Sequence, residues 1–138
     1  MGLPSVGGGY QFNDGNLDEV VIGAVPVPAT AVNTATLTVN QLTNGIILGS
    51  PTAAAAYTLP LATTLDNTLT NSKPGSTFDF RIINATGSGI ITVTTNTGWS
   101  IGSSGSQGLM TVAATAGLVR SFRARKTNDG AWVLYAIS

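Results

Sequence analysis

The sequence predicts an all-β fold: an antiparallel β-sandwich of jelly-roll type, with one short helix and an extended N-terminal arm. Three observations predict it. From about residue 35 onward, short runs of alternating or apolar residues recur between Gly, Asn, Ser and Pro breaks. Thr is β-branched and suits strands, while the abundant Gly and Asn suit tight connections. Strands do not alternate with long helices, which disfavours a parallel-sheet enzyme fold. At 138 residues the chain is the size of one domain.

Residues 1–34 differ from the rest and are expected to form the arm, with residues 35–138 as the sandwich domain. The stretch holds Gly7-Gly8-Gly9, the Asn13-Asp14-Gly15-Asn16 cluster and Val25-Pro26-Val27-Pro28. Proline removes a ladder donor and glycine weakens a strand, so a central strand is disfavoured here. Only Glu19 to Ala24, with Val20, Val21 and Ile22, has the character of a short strand.

Alternation over Ala35 to Val39 predicts the first strand of the domain, followed by Asn44-Gly45, the apolar Ile46-Ile47-Leu48 and a break at Gly49-Ser50-Pro51. Tyr57 to Pro60 reads as a brief extended piece. Leu61, Leu65 and Leu69 lie four apart, on one face of a helix, and Pro60 suits its first turn. This predicts a helix ending by Lys73-Pro74-Gly75. The clearest strand is Thr77 to Ala85, where Phe78, Phe80 and Ile82 alternate with Asp79 and Arg81. Further strands are expected at Ile90 to Thr95, Gly98 to Ile101, Leu109 to Ala113 and Leu118 to Lys126. Asn128-Asp129-Gly130 then signals a hairpin into Ala131 to Ile137. About eight short strands at this spacing suit a sandwich. No regular repeat is evident.

Charged residues make up 9% of the chain against 43% hydrophobic, far below the roughly 25% charged share of an average domain. Six basic residues balance six acidic ones. Zero net charge removes the main attraction to phosphate backbones, so no nucleic-acid partner is expected. It also removes a common protection against self-association. No apolar run approaches the roughly 18 residues of a membrane span, so no membrane partner is expected either. The N-terminus lacks the basic start and apolar core of a signal peptide, so synthesis in the cytoplasm without secretion is the expectation.

The chain has no His and no Cys, which excludes the commonest general base, Ser-His-Asp and Cys-His catalysis, and thiolate metal sites. A carboxylate pair remains conceivable. However, Asp14, Asp18 and Glu19 lie in the arm, while Asp66, Asp79 and Asp129 each suit a helix, strand or turn role. No enzyme activity, cofactor or metal is expected. Asp14-x-Asn16-x-Asp18 starts like a calcium loop, but Glu19 stands where Gly is needed and Val25 where a bidentate Glu is needed. Gly7-Gly8-Gly9 lacks the Lys-Ser/Thr of a phosphate loop. The basic cluster Arg120, Arg123, Arg125 and Lys126 lies on one strand. Alternation puts Arg123 and Arg125 on the face away from Phe122, a solvated or inter-subunit face where acids of a neighbour such as Asp79 or Asp129 can pair with them.

Several strand-shaped segments carry a resemblance: Leu37 to Ile47, Tyr57 to Pro60, Gly75 to Asn84, Phe122 to Lys126 and Trp132 to Tyr135. Their order resembles the head decoration, or cement, proteins that tailed bacteriophages encode beside the major capsid gene. The resemblance covers roughly residues 35–138. It implies a β-sandwich homotrimer on the outer surface of the virion capsid, bound to the major capsid protein and bridging neighbouring capsid subunits. On that expectation the arm contacts the capsid through Val20, Val21 and Ile22, chosen for their apolar character. Asp79, Arg81, Arg123 and Arg125 are then the expected inter-subunit polar contacts. The alternative is a virion-surface or fibre-tip module in which Tyr10, Tyr57, Trp99 or Tyr135 stacks on a carbohydrate or host receptor.

Overall fold

A computed structural model describes residues 23–102 and 105–138. Among them are ten strands and two short helices: β1 Ala29–Ala31, β2 Ala35–Thr36, α1 Val39–Asn44, β3 Ile46–Gly49, β4 Ala55–Thr58, α2 Ala62–Thr68, β5 Thr77–Asn84, β6 Ile91–Thr94, β7 Trp99–Ser100, β8 Thr111–Val112, β9 Leu118–Asn128 and β10 Ala131–Ala136. One sheet has six strands in the order β1-β3-β5-β9-β10-β7, and the other has four in the order β2-β4-β6-β8.

The expectation of antiparallel sheets is not met, because both sheets are mixed. The first six strands wind as three passes, each placing one strand in the larger sheet and the next in the smaller. Thus β1, β3 and β5 pair in parallel, as do β2, β4 and β6. A parallel pair needs a crossover of a dozen or more residues. Here the visit to the other sheet, together with α1 or α2, supplies it. The C-terminal part then closes the sheets in the antiparallel sense, β9 against both β5 and β10, and β8 against β6. Strand β7 adds a parallel edge to β10.

Alternation decides what each strand buries. On β5, Phe80 and Ile82 are fully buried while Arg81 is exposed. On β9, Phe122 and Ala124 are buried between exposed Arg123 and Arg125. These side chains share one hydrophobic core with Tyr57, Ile91, Val93 and Val112 of the smaller sheet. Phe80 and Phe122 stack at 5.3 Å, and Phe78 meets Trp132 edge-on at 5.7 Å. Asn84 is the one buried Asn among the described residues, and its amide is bonded on both sides: Nδ2 donates to the carbonyls of Gly89 and Ala113, and Oδ1 accepts from the Gly87 N–H.

The two helices fared differently in the sequence. Helix α2 lies where the leucine spacing predicts it, with Leu65 buried and Leu61 left half in solvent. Helix α1 was not anticipated, since Val39 reads as the end of a strand and Asn44-Gly45 as a turn. Thr38 and Gln41 form a reciprocal capping box at its start, and Gly45 ends it at φ 97°, a conformation that glycine adopts without a Cβ penalty. Gln41 also donates to the Thr30 carbonyl, tying the helix to β1. The stretch expected to be an arm therefore enters the larger sheet at Ala29, six residues before Ala35.

Candidate functional site

Among the described residues, polar chemistry collects on the solvent-facing side of the six-stranded sheet and at the junction of α2 with the β9–β10 hairpin. Both arise from the parity of β9. Its even-numbered residues point inward, so the basic cluster divides into two pairs with different fates.

The inward pair is spent on the fold. Arg120 donates from Nε to the Thr111 carbonyl at 2.6 Å and from Nη1 to the Ser138 carbonyl at 3.1 Å, joining β9 to β8 and the C-terminus. Lys126 is buried, with Nζ 3.1 Å from Asp66 and 3.3 Å from Asp129. Its ammonium also donates to the Ser72 carbonyl. Asp66 in turn accepts from the Gly130 N–H and from Trp132 Nε1. Burial opposes the charge on Asp66, but the bonds from Gly130, Trp132 and Lys126 outweigh it and hold its carboxyl below the ordinary carboxylate range. For Lys126, burial likewise opposes the charge, and its two aspartates outweigh that and keep its pKa above the usual lysine value. Beside this clamp lies a shallow depression of about 590 Å³ lined by Asp66, Asn67, Thr70, Lys126 and Asp129 among others. Its most buried charges are already engaged with one another.

The outward pair faces solvent. Register sets Asp79 directly opposite Arg123, and the guanidinium grips the carboxylate with two bonds of 2.8 and 3.0 Å. That grip, aided by the charge of Arg81, holds the Asp79 carboxyl below its ordinary range and raises Arg123 above its own. Asp79 and Arg123 are thus brought together within one chain. Arg81 and Arg125 are exposed, and neither guanidinium has an ion pair or hydrogen bond among the described residues. Ile46 stands opposite Arg81, Val133 opposite Arg125 and Tyr135 opposite Arg123. One row further along, Leu48, Ile83 and Val119 line up across three strands. Ile46 and Val119 are 37% and 44% exposed, so apolar surface borders the arginines.

The other expected contacts are placed differently. Val20, Val21, Ile22 and Tyr10 lie outside the described residues. Tyr57 is fully buried, and its hydroxyl donates between the carbonyls of Ala31 and Val32. Trp99 is 8% exposed, with Nε1 bonded to the Pro60 carbonyl. Tyr135 is half-buried. No group of three or more acids that could hold a metal ion occurs among the described residues, and no helix there is long and apolar enough to cross a membrane.

No protein-family model, no curated protein and no solved structure matches this chain.

Proposed function

We propose that this chain is a structural virion protein, a homotrimeric β-sandwich with mixed sheets that binds the outer surface of a bacteriophage capsid and stabilises it by bridging neighbouring capsid subunits. The observation that carries the reading is the solvent-facing side of the six-stranded sheet. It joins two arginines that are unpaired among the described residues to a row of exposed and half-exposed aliphatic side chains on a chain with few charges elsewhere. Such a mixed face suits docking onto another protein, where a desolvated apolar centre and a polar rim work together. The order of strand segments, which resembles head decoration proteins, points to the capsid as that partner.

A pressurised shell gains most from contacts repeated over many copies, because simultaneous weak contacts hold together when single ones do not. The major capsid protein and further copies of this chain are the partners on this reading. Its location is the virion exterior.

Co-sedimentation tests it. Mixed with heads assembled without it, the chain should pellet saturably, and light scattering of the free protein should give three times the mass of one chain. A protein that stays in the supernatant at every head concentration would overturn the proposal. The carbohydrate-binding alternative rests on exposed aromatics, and with Tyr57 and Trp99 buried it retains Tyr135 among the described residues. A glycan array addresses that alternative directly.

A further inference from the structure

The charges of this chain are unevenly divided. Residues 1–22 contain Asp14, Asp18 and Glu19 and no basic side chain, whereas all six basic residues lie beyond residue 72. The neutral total therefore conceals an acidic leader and a basic body. Within the body, Arg120 and Lys126 are internally bonded and Arg123 is held by Asp79. Arg81 and Arg125, on the solvent-facing side of the larger sheet, have no partner among the described residues.

The described part of the chain fixes where the leader starts. Asn44 Nδ2 donates to the Val27 carbonyl, which fixes the leader's exit beside the end of α1. Ile46 begins β3 two residues later, and its register partner is Arg81. Moving away from that exit across the sheet, the face presents first Ile46 on β3, then Arg81 on β5, then Arg123 and Arg125 on β9. Moving away from Val27 along the leader, the sequence presents first Ile22, Val21 and Val20, then Glu19 and Asp18, then Asp14. The two orders match, apolar first and charged second. Adjacent strands lie about 4.8 Å apart, so β3 to β9 spans roughly 10 Å. Arg125 lies a further ~13 Å along β9 from Ser121, the partner of Arg81, which puts it about 16 Å from Ile46. The eight residues from Val27 back to Glu19 reach up to about 28 Å.

We propose that the acidic segment Asp14–Glu19 docks on the solvent-facing side of the six-stranded sheet of its own chain, its carboxylates on Arg81 and Arg125 and Val20 to Ile22 against Ile46. The tether favours this occupant over a free acidic peptide, since a short covalent link makes the contact intramolecular, at an effective concentration of about millimolar, without any new contact. The segment occupies the face proposed above for capsid docking, so on that reading the capsid displaces it; the inference itself does not depend on capsid binding and is tested on the purified chain alone.

The chain has no cysteine, so Asn16→Cys accepts a nitroxide at one position. In isotope-labelled protein at about 0.01 M salt, the backbone amide signals of Arg81, Arg123 and Arg125 should lose intensity selectively. That loss should vanish near 1 M salt, where the screening length shrinks to about 3 Å. It should also vanish in Arg81→Gln/Arg125→Gln, whose exposed positions leave the sheet intact. Reversing both partners, Arg81→Glu/Arg125→Glu with Asp14→Lys/Asp18→Lys/Glu19→Lys, should restore it. Selective loss that persists in the arginine double variant, or no selective loss at low salt, would overturn the proposal. So would loss seen only when the nitroxide and the isotope label are on different molecules, because the docked segment then belongs to another copy.

Discussion

Tyr57→Phe removes one oxygen atom from the middle of the fold and nothing else, which makes its cost calculable. The Tyr57 ring is fully buried, and its hydroxyl lies 3.0 Å from both the Ala31 and the Val32 carbonyl oxygens. Burial pushes the Tyr57 phenol up from its ordinary pKa, so it stays a donor across the neutral range. Through this one proton β4 of the smaller sheet holds the end of β1 in the larger one. The variant keeps the ring packing and loses the bond. Ala31 keeps a partner, since its carbonyl also accepts from the Ser50 N–H, and Val32 is 53% exposed, so water can reach it. The loss is therefore the net value of one bond plus a small residual for incomplete hydration, about 1–2 kcal/mol. For a chain of this size that lowers the Tm by roughly 4–8 °C. Urea unfolding gives the free energy, and hydrogen exchange gives its location. Protection should fall in the β1–β3 ladder before it falls in β5 and β9. A change below about 0.5 kcal/mol, or protection lost evenly across both sheets, would refute the claim that this hydroxyl anchors the first pass.

Other outcomes follow from the same geometry. Gly89→Ala sets a Cβ 2.2 Å from the Ala53 carbonyl carbon. Backbone cannot yield as a flexible side chain does, so a loss of about 3 kcal/mol or more is expected in urea unfolding. Stability should also depend on pH through the α2 clamp. The Asp66 carboxyl is held low, so its contribution is complete above the unfolded value near 3.9 and is lost as pH falls through the lower folded value. Lys126 is held high, so its contribution is complete below about pH 10.4 and is lost as pH rises through the folded value. Asp66→Asn should flatten the acid limb of a plot of Tm against pH. Arg123→Gln breaks an ion pair whose partners are 49% and 34% exposed, so the Tm should stay unchanged within error, a surface pair of this kind contributing little.

Local pattern revealed the pieces of this fold better than their assembly. Period-two alternation located β5, β9 and β10, and Asn128-Asp129-Gly130 located the hairpin, because those signals lie within a few adjacent residues. Alternation looks the same in parallel and antiparallel strands. The parallel winding of β1, β3 and β5 was therefore illegible, being set by where the long connections return. Helix α1 left a readable trace in Thr38 and Gln41, the ends of a capping box, but the strand-like run before it obscured the signal. The outward placement of Asp79 and Arg123 was legible from alternation, whereas their pairing within one chain was not, since it depends on the register of β5 against β9 and the sequence pointed instead to contacts with a neighbouring subunit. The clamp of Asp66 on Lys126 and Trp132 was not, since it joins a helix to a hairpin about sixty residues away.

The proposed role is stabilisation of a shell, and shell rupture reads it out. Heads assembled without this chain should break open on heating at one temperature when alone and at a higher one when the protein is added, with the increase levelling off as sites fill. A rupture temperature that does not move at any amount of added protein would contradict it.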